Sequence, residues 1–260
     1  MRRHQEIIEL LRTTGVVSVS ELAERYECSP STIRRDIGIL SRTVDELRRL
    51  HGAVAMKPEM LEQNFQEKLT QAYQQKVDIA AAVVEHLPES GVIGLNGGTT
   101  TTLVARQLAK TKRNLTVVTN AVNISFELTG SSVSVVVIGG ALRPSNYETT
   151  GRMAEENLRG LHLDVAVLGA NGLDPRFGAS TSAELEAAVG RTFADQADEV
   201  IIVADSTKLG ERALFQMVDW SSIRYVATDA GANDLLLQWG GRRNTPEDLP
   251  ATVWEVQTRG

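Results

Sequence analysis

The sequence predicts an α/β protein in two parts: a small N-terminal module of three short helices and a β wing, then a larger domain around a mainly parallel sheet. Three observations predict it. Closely spaced helix starts fill the first 57 residues. From Gly91 onward, short Val/Ile runs ending in Gly, Asn, Asp, Thr or Ser alternate with helical stretches. The charge also changes sign between the parts. Through Lys57 there are ten Arg and Lys against eight Asp and Glu, a balance of +2; the remainder carries seventeen against twenty-five, or −8. A slightly basic head on an acidic body points to two domains with different partners.

The bulk numbers fit this division. A chain of 260 residues has room for one medium and one small domain. Apolar content of 42% and charged content of 23% place it among soluble globular proteins and away from disordered or fibrous classes. The start, MRRHQEIIELL, is charged and soon interrupted, unlike a secretory signal, and no apolar run approaches the roughly 18 residues of a membrane helix. Cys28 is the single cysteine, which excludes an intrachain disulfide and a cysteine-based zinc site. The expectation is a cytoplasmic protein without metal or cofactor.

In the head, HQEIIELLRTTG puts Ile7, Ile8, Leu10 and Leu11 on one side of a helix that stops at Gly15. SVSELAERY follows, with Ser18 and Glu21 at capping-box spacing ahead of Leu22 and Ala23. A third helix starts in CSPSTIRRDIGIL. There Ser29 can cap the free N–H groups, Pro30 suits the first turn, and Ile33, Ile37 and Leu40 repeat at helical spacing. With those three inward, Ser31, Thr32, Arg34 and Arg35 lie on the exposed N-terminal half. A helix entering the DNA major groove needs that arrangement: hydroxyls and a helix N-terminus for phosphates, arginines for phosphates or guanine edges. The competing reading is a helical cap with solvated arginines. ELRRLHGAVA then reads as a short basic strand, a turn near Gly52 and a second strand, a wing that would bring Arg48, Arg49 and His51 to the DNA backbone.

STIRRD, followed by R-x-H-G at Arg49 to Gly52, resembles the winged helix-turn-helix of the DeoR family of bacterial transcription regulators. The match runs from about Arg2 to Ala55, and Thr32 to Asp36 is its specific part. The family usually has glycines before the wing and after its H-G; here SRTVDE and Ala53 stand in those places, with Asp45 and Glu46 adding negative charge. The resemblance implies operator DNA contacts by Ser29, Ser31, Thr32, Arg34, Arg35, Arg49 and His51.

From Lys57 to about Ala72 the chain is polar, without strand character, and reads as an exposed linker. QQKVDIAAAVVEHL follows as a helix with Val77, Ala80, Ala81 and Val84 on its apolar face. The expected divisions are a head over 1–57, a linker over 58–75, a sensor domain over 76–235 and a C-terminal tail over 236–260, in which GGRRNTPEDLPATVWEVQTRG reads as a turn and one late strand. In that sensor domain VIGL, LTVVTN, SVSVVVIGG, DVAVLGAN, EVIIVADS and RYVATD read as buried strands. TTLVARQLAK, AVNISFEL, EENLRGL, AELEAAVGRTFADQ and ANDLLLQW read as helices between and after them.

Ligands of such sheets sit beyond the carboxyl ends of the strands. That rule selects Asn96 to Thr101, Thr119 and Asn120, Gly139 and Gly140, Gly169 to Gly172, and Asp205 to Lys208. The stretch LNGGTTTT is neither a Rossmann fingerprint nor a P-loop, and no acidic residue closes the second strand, so a dinucleotide enzyme is excluded. It offers bare backbone at Gly97 and Gly98, then the hydroxyls of Thr99, Thr100 and Thr101 at a helix start, where free N–H groups and the helix dipole favour an anion. A threonine cap needs one hydroxyl, so four in a row favour a phosphate site over a plain cap.

GGTTT, VVTN, IGG, LGANG and ADSTK, in that order over roughly Lys76 to Asp229, resemble the effector domain of the same family. That domain is similar to ribose-5-phosphate isomerase and glucosamine-6-phosphate deaminase, and the resemblance implies a phosphorylated sugar as effector. By the same resemblance Gly98 to Thr101 hold the phosphate and Lys208 is the cationic partner. Thr119, Asn120, Asn171 and Gly172 line the sugar end, and Asp205 accepts from hydroxyls. The family commonly has aspartate where this chain has Asn96, an amide that can hydrogen-bond a hydroxyl but cannot act as a general base. The first expectation is therefore a DNA-binding repressor of carbohydrate genes, assembled as a dimer or tetramer because operator symmetry mirrors protein symmetry. The alternative is a phosphosugar isomerase or deaminase with an added DNA-binding domain.

Overall fold

The computed structural model describes residues 2–14, 16–43, 47–50, 52–56, 65–111, 113–245 and 250–256. Two compact units divide the chain, Met1–Gln63 and Asn64–Gly260.

In the first unit, helix α1 (Arg2–Thr14) is followed by strand β1 (Val16–Ser18), α2 (Val19–Arg25) and α3 (Pro30–Thr43), then by β2 (Leu47–Leu50) and β3 (Ala53–Met56). Ser18 caps α2 by accepting from the Glu21 N–H at 3.1 Å, and Ser29 caps α3 through the Thr32 N–H at 3.2 Å. Ile7, Leu11, Leu22, Ile33, Ile37, Leu40, Leu47 and Val54 form one buried core, which is why the inward stripe of α3 has the spacing it has. The wing has three strands, in the order β1-β3-β2. β1 is only Val-Val-Ser, too short to show a period of two, and it is held to β3 from Val16–Ala55 to Ser18–Ala53. Asp36, buried at the centre of α3, pairs with Arg3 at 2.6 Å and His4 at 2.9 Å on α1, so the last residue of the T-I-R-R-D motif joins two helices.

The second unit starts with α4 (Phe65–Thr70) and α5 (Tyr73–His86). Helix therefore begins inside the stretch expected to be linker, and Phe65 is buried, its ring centroid 5.3 Å from that of Tyr147 in an edge-on contact. On α5 the buried face is Ile79, Ala80, Ala82, Val83 and Val84, while Ala81 is exposed. Of the stripe expected from spacing, Ala80 and Val84 are buried and Val77 packs against the core; Ala81 alone faces outward, because alanine carries little information about which side faces the core.

The strands and helices then alternate: β4 (Ser90–Leu95), α6 (Thr99–Leu108), β5 (Asn114–Thr119), α7 (Val122–Leu128) and β6 (Ser134–Val137). A hairpin of β7 (Ala141–Arg143) and β8 (Glu148–Thr150) precedes α8 (Arg152–Arg159) and β9 (Leu163–Gly169). After β10 (Gly172–Asp174) and β11 (Gly178–Thr181) come α9 (Glu184–Asp195), β12 (Ala197–Val203), β13 (Phe215–Val218), β14 (Tyr225–Asp229) and α10 (Asn233–Gln238). β15 (Arg242–Arg243) and β16 (Ala251–Glu255) close the described chain.

The main sheet has the order β15-β16-β14-β12-β9-β4-β5-β6. Its six strands from β14 to β6 are parallel, and β16 and β15 add antiparallel at the other edge. The residues of α5, α6 and α7 pack on one face and those of α8, α9 and α10 on the other, giving three layers. Along the chain the strands first run from β4 towards β6, then restart beside β4 at β9 and run the other way. The order thus reverses between β4 and β9, the position at which open α/β sheets leave a crevice for ligands.

The segment expected as a tail, 236–260, contributes a strand to the sheet. β16 pairs with β14 over five residues, and Trp254 is 2% exposed, its indole N–H donating to Thr252 Oγ1 at 2.6 Å. Truncation of so large a buried side chain leaves a cavity, so Trp254→Ala is expected to cost about 3–5 kcal/mol. Urea unfolding of the full chain measures it; a loss under about 1 kcal/mol would show that this strand is dispensable.

Candidate functional site

The crevice between β4 and β9 is built from backbone upward. Strand β4 ends at Leu95, and Asn96, Gly97 and Gly98 carry the chain to the first turn of α6. Asn96 ties the two strand ends together: its Oδ1 accepts from the Gly169 N–H at 2.8 Å and its Nδ2 donates to the Gly169 carbonyl at 3.0 Å. Asn96 is thus a clamp between the two strand ends. A single carboxylate could accept from that N–H but could not donate to the carbonyl, which gives the amide a structural reason. Gly98 has φ +156° and ψ 162°, a conformation open essentially to glycine alone. A Cβ on Gly97 would collide with the side chain of Glu148.

The four threonines divide their work. Thr101 and Thr102 turn back to the Gly98 carbonyl, at 3.1 and 2.6 Å, and Thr102 also accepts from Asn123 Nδ2 at 2.8 Å. Those bonds, with Thr102 N–H to Gly98 O at 3.0 Å, lock the helix start. The hydroxyls of Thr99 and Thr100 have no hydrogen-bond partner among the described residues. The N–H groups of Thr99, Thr100 and Thr101 precede the first intrahelical bond and have no helical acceptor. Two free hydroxyls and three N–H groups at the positive end of a ten-residue helix form an anion cradle.

Two strands across the sheet, Asp205 follows β12. Its Oδ1 accepts from the Thr207 N–H at 3.2 Å and from the Thr207 hydroxyl, shaping the turn that presents Lys208. Lys208 is half-buried, with no ion pair among the described residues. Asp205 Oδ2 faces Lys76 Nζ at 4.0 Å. Lys76 is 4% exposed and donates to the carbonyls of Lys68, in the last turn of α4, and Gln71, just beyond it, at 2.5 and 2.8 Å. Burial pushes its pKa below the ordinary lysine value; Asp205 pulls it back up, and Lys208 and Lys68 push it down.

The other expected residues take more structural parts. Thr119 and Asn120 are buried beneath the β7–β8 hairpin. Thr119 Oγ1 accepts from the Ala121 N–H, and the Asn120 carbonyl accepts from Thr149 N–H at 2.7 Å. Gly172 is bare because the Glu211 carbonyl passes where a Cβ would sit. Asn171 reaches the crevice: its Oδ1 accepts from Thr181 Oγ1, which also lies 2.7 Å from Glu186. Glu186 and Glu148 share the Asn146 amide, and Arg143 lies 3.4 Å from Glu186.

Sequence reasoning missed Lys76, Glu148 and Glu186. Lys76 had a signal, standing four and seven residues before the buried Ala80 and Val83, on the stripe that faces the core. Glu148 had none, since only the docking of a three-residue strand brings it to the loop.

In the head, Ser29 Oγ lies 2.7 Å from Ser31 Oγ and 2.8 Å from Thr32 Oγ1 at the start of α3, and Arg34 and Arg35 are exposed on its first two turns. Arg49 lies on β2, and His51 falls outside the described residues.

A three-helix head with a wing and an exposed basic helix, joined to a sheet with an anion cradle at its switch point, defines a ligand-responsive DNA-binding regulator. The comparisons agree. Residues 3–59 match the DeoR-like helix-turn-helix domain and residues 71–230 the DeoR C-terminal sensor domain. The chain belongs to the DeoR family of transcription regulators. It is 34% identical over 227 residues to the HTH-type transcriptional regulator GlpR of Haloferax volcanii, covering 87% of this chain and 89% of that one. It is 30% identical over 230 residues to the glycerol-3-phosphate regulon repressor of Escherichia coli K12, covering 88% and 90%. It is 30% identical over 237 residues to the transcriptional repressor AccR of Agrobacterium fabrum, covering 90% and 91%. Among solved structures, ribose 5-phosphate isomerase A of Neisseria gonorrhoeae is similar with a TM-score of 0.40 at 16% identity, covering 74% of this chain and 79% of that one. Among the described residues no helix is long and apolar enough to cross a membrane.

Both hydrogen bonds of the Asn96 clamp are lost in Asn96→Ala, at an expected cost of about 1–3 kcal/mol in chemical unfolding. An Asn96 whose task was only to touch ligand would leave stability unchanged.

Proposed function

We propose that the chain is a repressor of carbohydrate-metabolism genes whose operator affinity is set by a phosphorylated sugar bound at the start of α6. The cradle of free N–H groups and the partnerless hydroxyls of Thr99 and Thr100, at the switch point of the sheet, is the observation that carries this reading. Lys208 supplies the cation, and Lys76 the buried charge behind it. Asn171, Asp205 and the carboxylates near Gly97 face the sugar end. Relatives named for a glycerol-3-phosphate regulon support a small phosphorylated metabolite as the signal.

In the head, Ser29, Ser31 and Thr32 meet phosphates at the N-terminus of α3, Arg34 and Arg35 reach the major groove, and Arg49 and His51 act from the wing. A dimer or tetramer follows from the symmetry of operators. The protein turns over no substrate: Asn96 is committed to the Gly169 backbone and cannot act as a base. The alternative, a phosphosugar isomerase or deaminase, is favoured if the purified chain converts any member of a phosphosugar panel.

Arg34→Ala and Arg35→Ala are each expected to weaken operator binding by about 1–3 kcal/mol and to lower the salt slope by about one if the lost contact is to phosphate. Effector affinity should stay as in the parent. Thr100→Val and Lys208→Ala are expected to remove effector-dependent release while leaving operator affinity intact. Electrophoretic mobility shifts across a phosphosugar panel read both; crossed phenotypes would overturn this division of labour.

A further inference from the structure

Glu148 is absent from every motif that marks the site, yet its carboxyl group lies against the bare Cα of Gly97, where a Cβ would strike it. Three contacts bring it there. The Thr149 N–H donates to the Asn120 carbonyl at 2.7 Å, Thr149 Oγ1 donates to the Ile138 carbonyl at 2.6 Å, and the Val122 N–H donates to the Tyr147 carbonyl at 2.9 Å. Together they lay the β7–β8 hairpin over the carboxyl end of β5. Tyr147, just before Glu148, has φ +62°, a left-handed conformation that a tyrosine holds only where its surroundings impose it. Its ring meets Phe65 edge-on, fixing the turn from the other side.

Glu148 is 4% exposed, and a buried carboxylate persists only where hydrogen bonds replace water. Asn146 Nδ2 donates to Glu148 Oε2 at 2.6 Å and also to Glu186, which receives the Thr181 hydroxyl and lies 3.4 Å from Arg143. Beside Gly97, at the approach to α6, the carboxylates of Glu148 and Glu186 are thus brought together with the Arg143 guanidinium, while Lys76 and Lys208 stand with Asp205 in and beside the loop after β12.

We propose that Glu148 is a specificity-determining residue of the effector site. Its carboxylate favours phosphorylated ligands that present a hydroxyl or amine donor towards Gly97 and disfavours those that present a second anion there. The effector class is then a neutral or amino phosphosugar or phosphorylated polyol with a single anionic end, as opposed to a bisphosphate or a phosphorylated sugar acid. The inference rests on the reading of the α6 N-terminus as the phosphate site. A carboxylate repels a second anion at close range and accepts hydrogen bonds from hydroxyl and ammonium donors.

The test is calorimetric titration of the full chain with inorganic phosphate, and with phosphorylated alditols and their matching phosphorylated acids, sorbitol phosphate and phosphogluconate being one such pair. The parent protein is expected to prefer the alditol over the acid by about tenfold, equivalent to 1.4 kcal/mol. Glu148→Gln keeps the shape and an acceptor for Asn146; it is expected to shrink that preference to within about threefold and to bind inorganic phosphate more tightly. A parent protein that takes acid and alditol alike, or a Glu148→Gln variant that keeps the full preference, overturns the role of Glu148 alone. If inorganic phosphate and every phosphorylated compound fail to bind the parent, the phosphate site falls, and this inference with it. The parent's own ranking decides the matter even if the variant folds poorly.

Discussion

The reversal of strand order between β4 and β9 leaves two neighbouring strand ends whose connections leave in opposite directions, and something has to hold the gap. Asn96 does so with both halves of one amide on the backbone of Gly169. Everything the body offers a ligand hangs from that clamp. It sets where β4 stops, hence where Gly97 and Gly98 turn, hence where the first N–H groups of α6 point. The glycines follow from the same geometry. One must adopt a backbone angle closed to other residues, and the other must leave room for a carboxyl group arriving from a different part of the chain.

The same crevice is joined to the helix that follows the head. α4 is tied at its first residue to the hairpin, through Phe65 on Tyr147, and just beyond its end to the β12 loop, through Lys76 and Asp205. The charges at the second tie oppose one another: Asp205 raises the pKa of the buried Lys76, while Lys208 and Lys68 lower it.

Most of this fold was readable in the sequence because the main strands are long Val/Ile runs and the helices between them have clear apolar faces. The α3 stripe of Ile33, Ile37 and Leu40, the caps at Ser18 and Ser29, and the order of loops at the strand ends all have local causes, and local causes leave local patterns. What escaped has non-local causes. β1, β7, β8, β10, β11 and β13 are three or four residues long and are defined by what they pair with. The late strand that the C-terminal segment suggests is β16, but its place in the main sheet has no local sign, because its partner, β14, lies more than twenty residues away in sequence. The candidate site shows the same division. Gly97 to Thr101 announce a helix start at once, whereas the commitment of Asn96 to Gly169, of Asn120 to Thr149 and of Glu148 to Gly97 depends on tertiary docking that no spacing reveals.

Net charge also means less here than its position does. A chain of −6 would meet DNA badly if its charge were spread evenly. The recognition helix avoids this without a strongly basic head. Asp36 is turned inward, paired with Arg3 and hydrogen-bonded to His4, so the acidic residue inside the T-I-R-R-D motif is turned away from the exposed face on which Arg34 and Arg35 stand. In the body, too, packing governs where buried acidic groups stand: Glu148 and Glu186 share the Asn146 amide, and Arg143 lies 3.4 Å from Glu186.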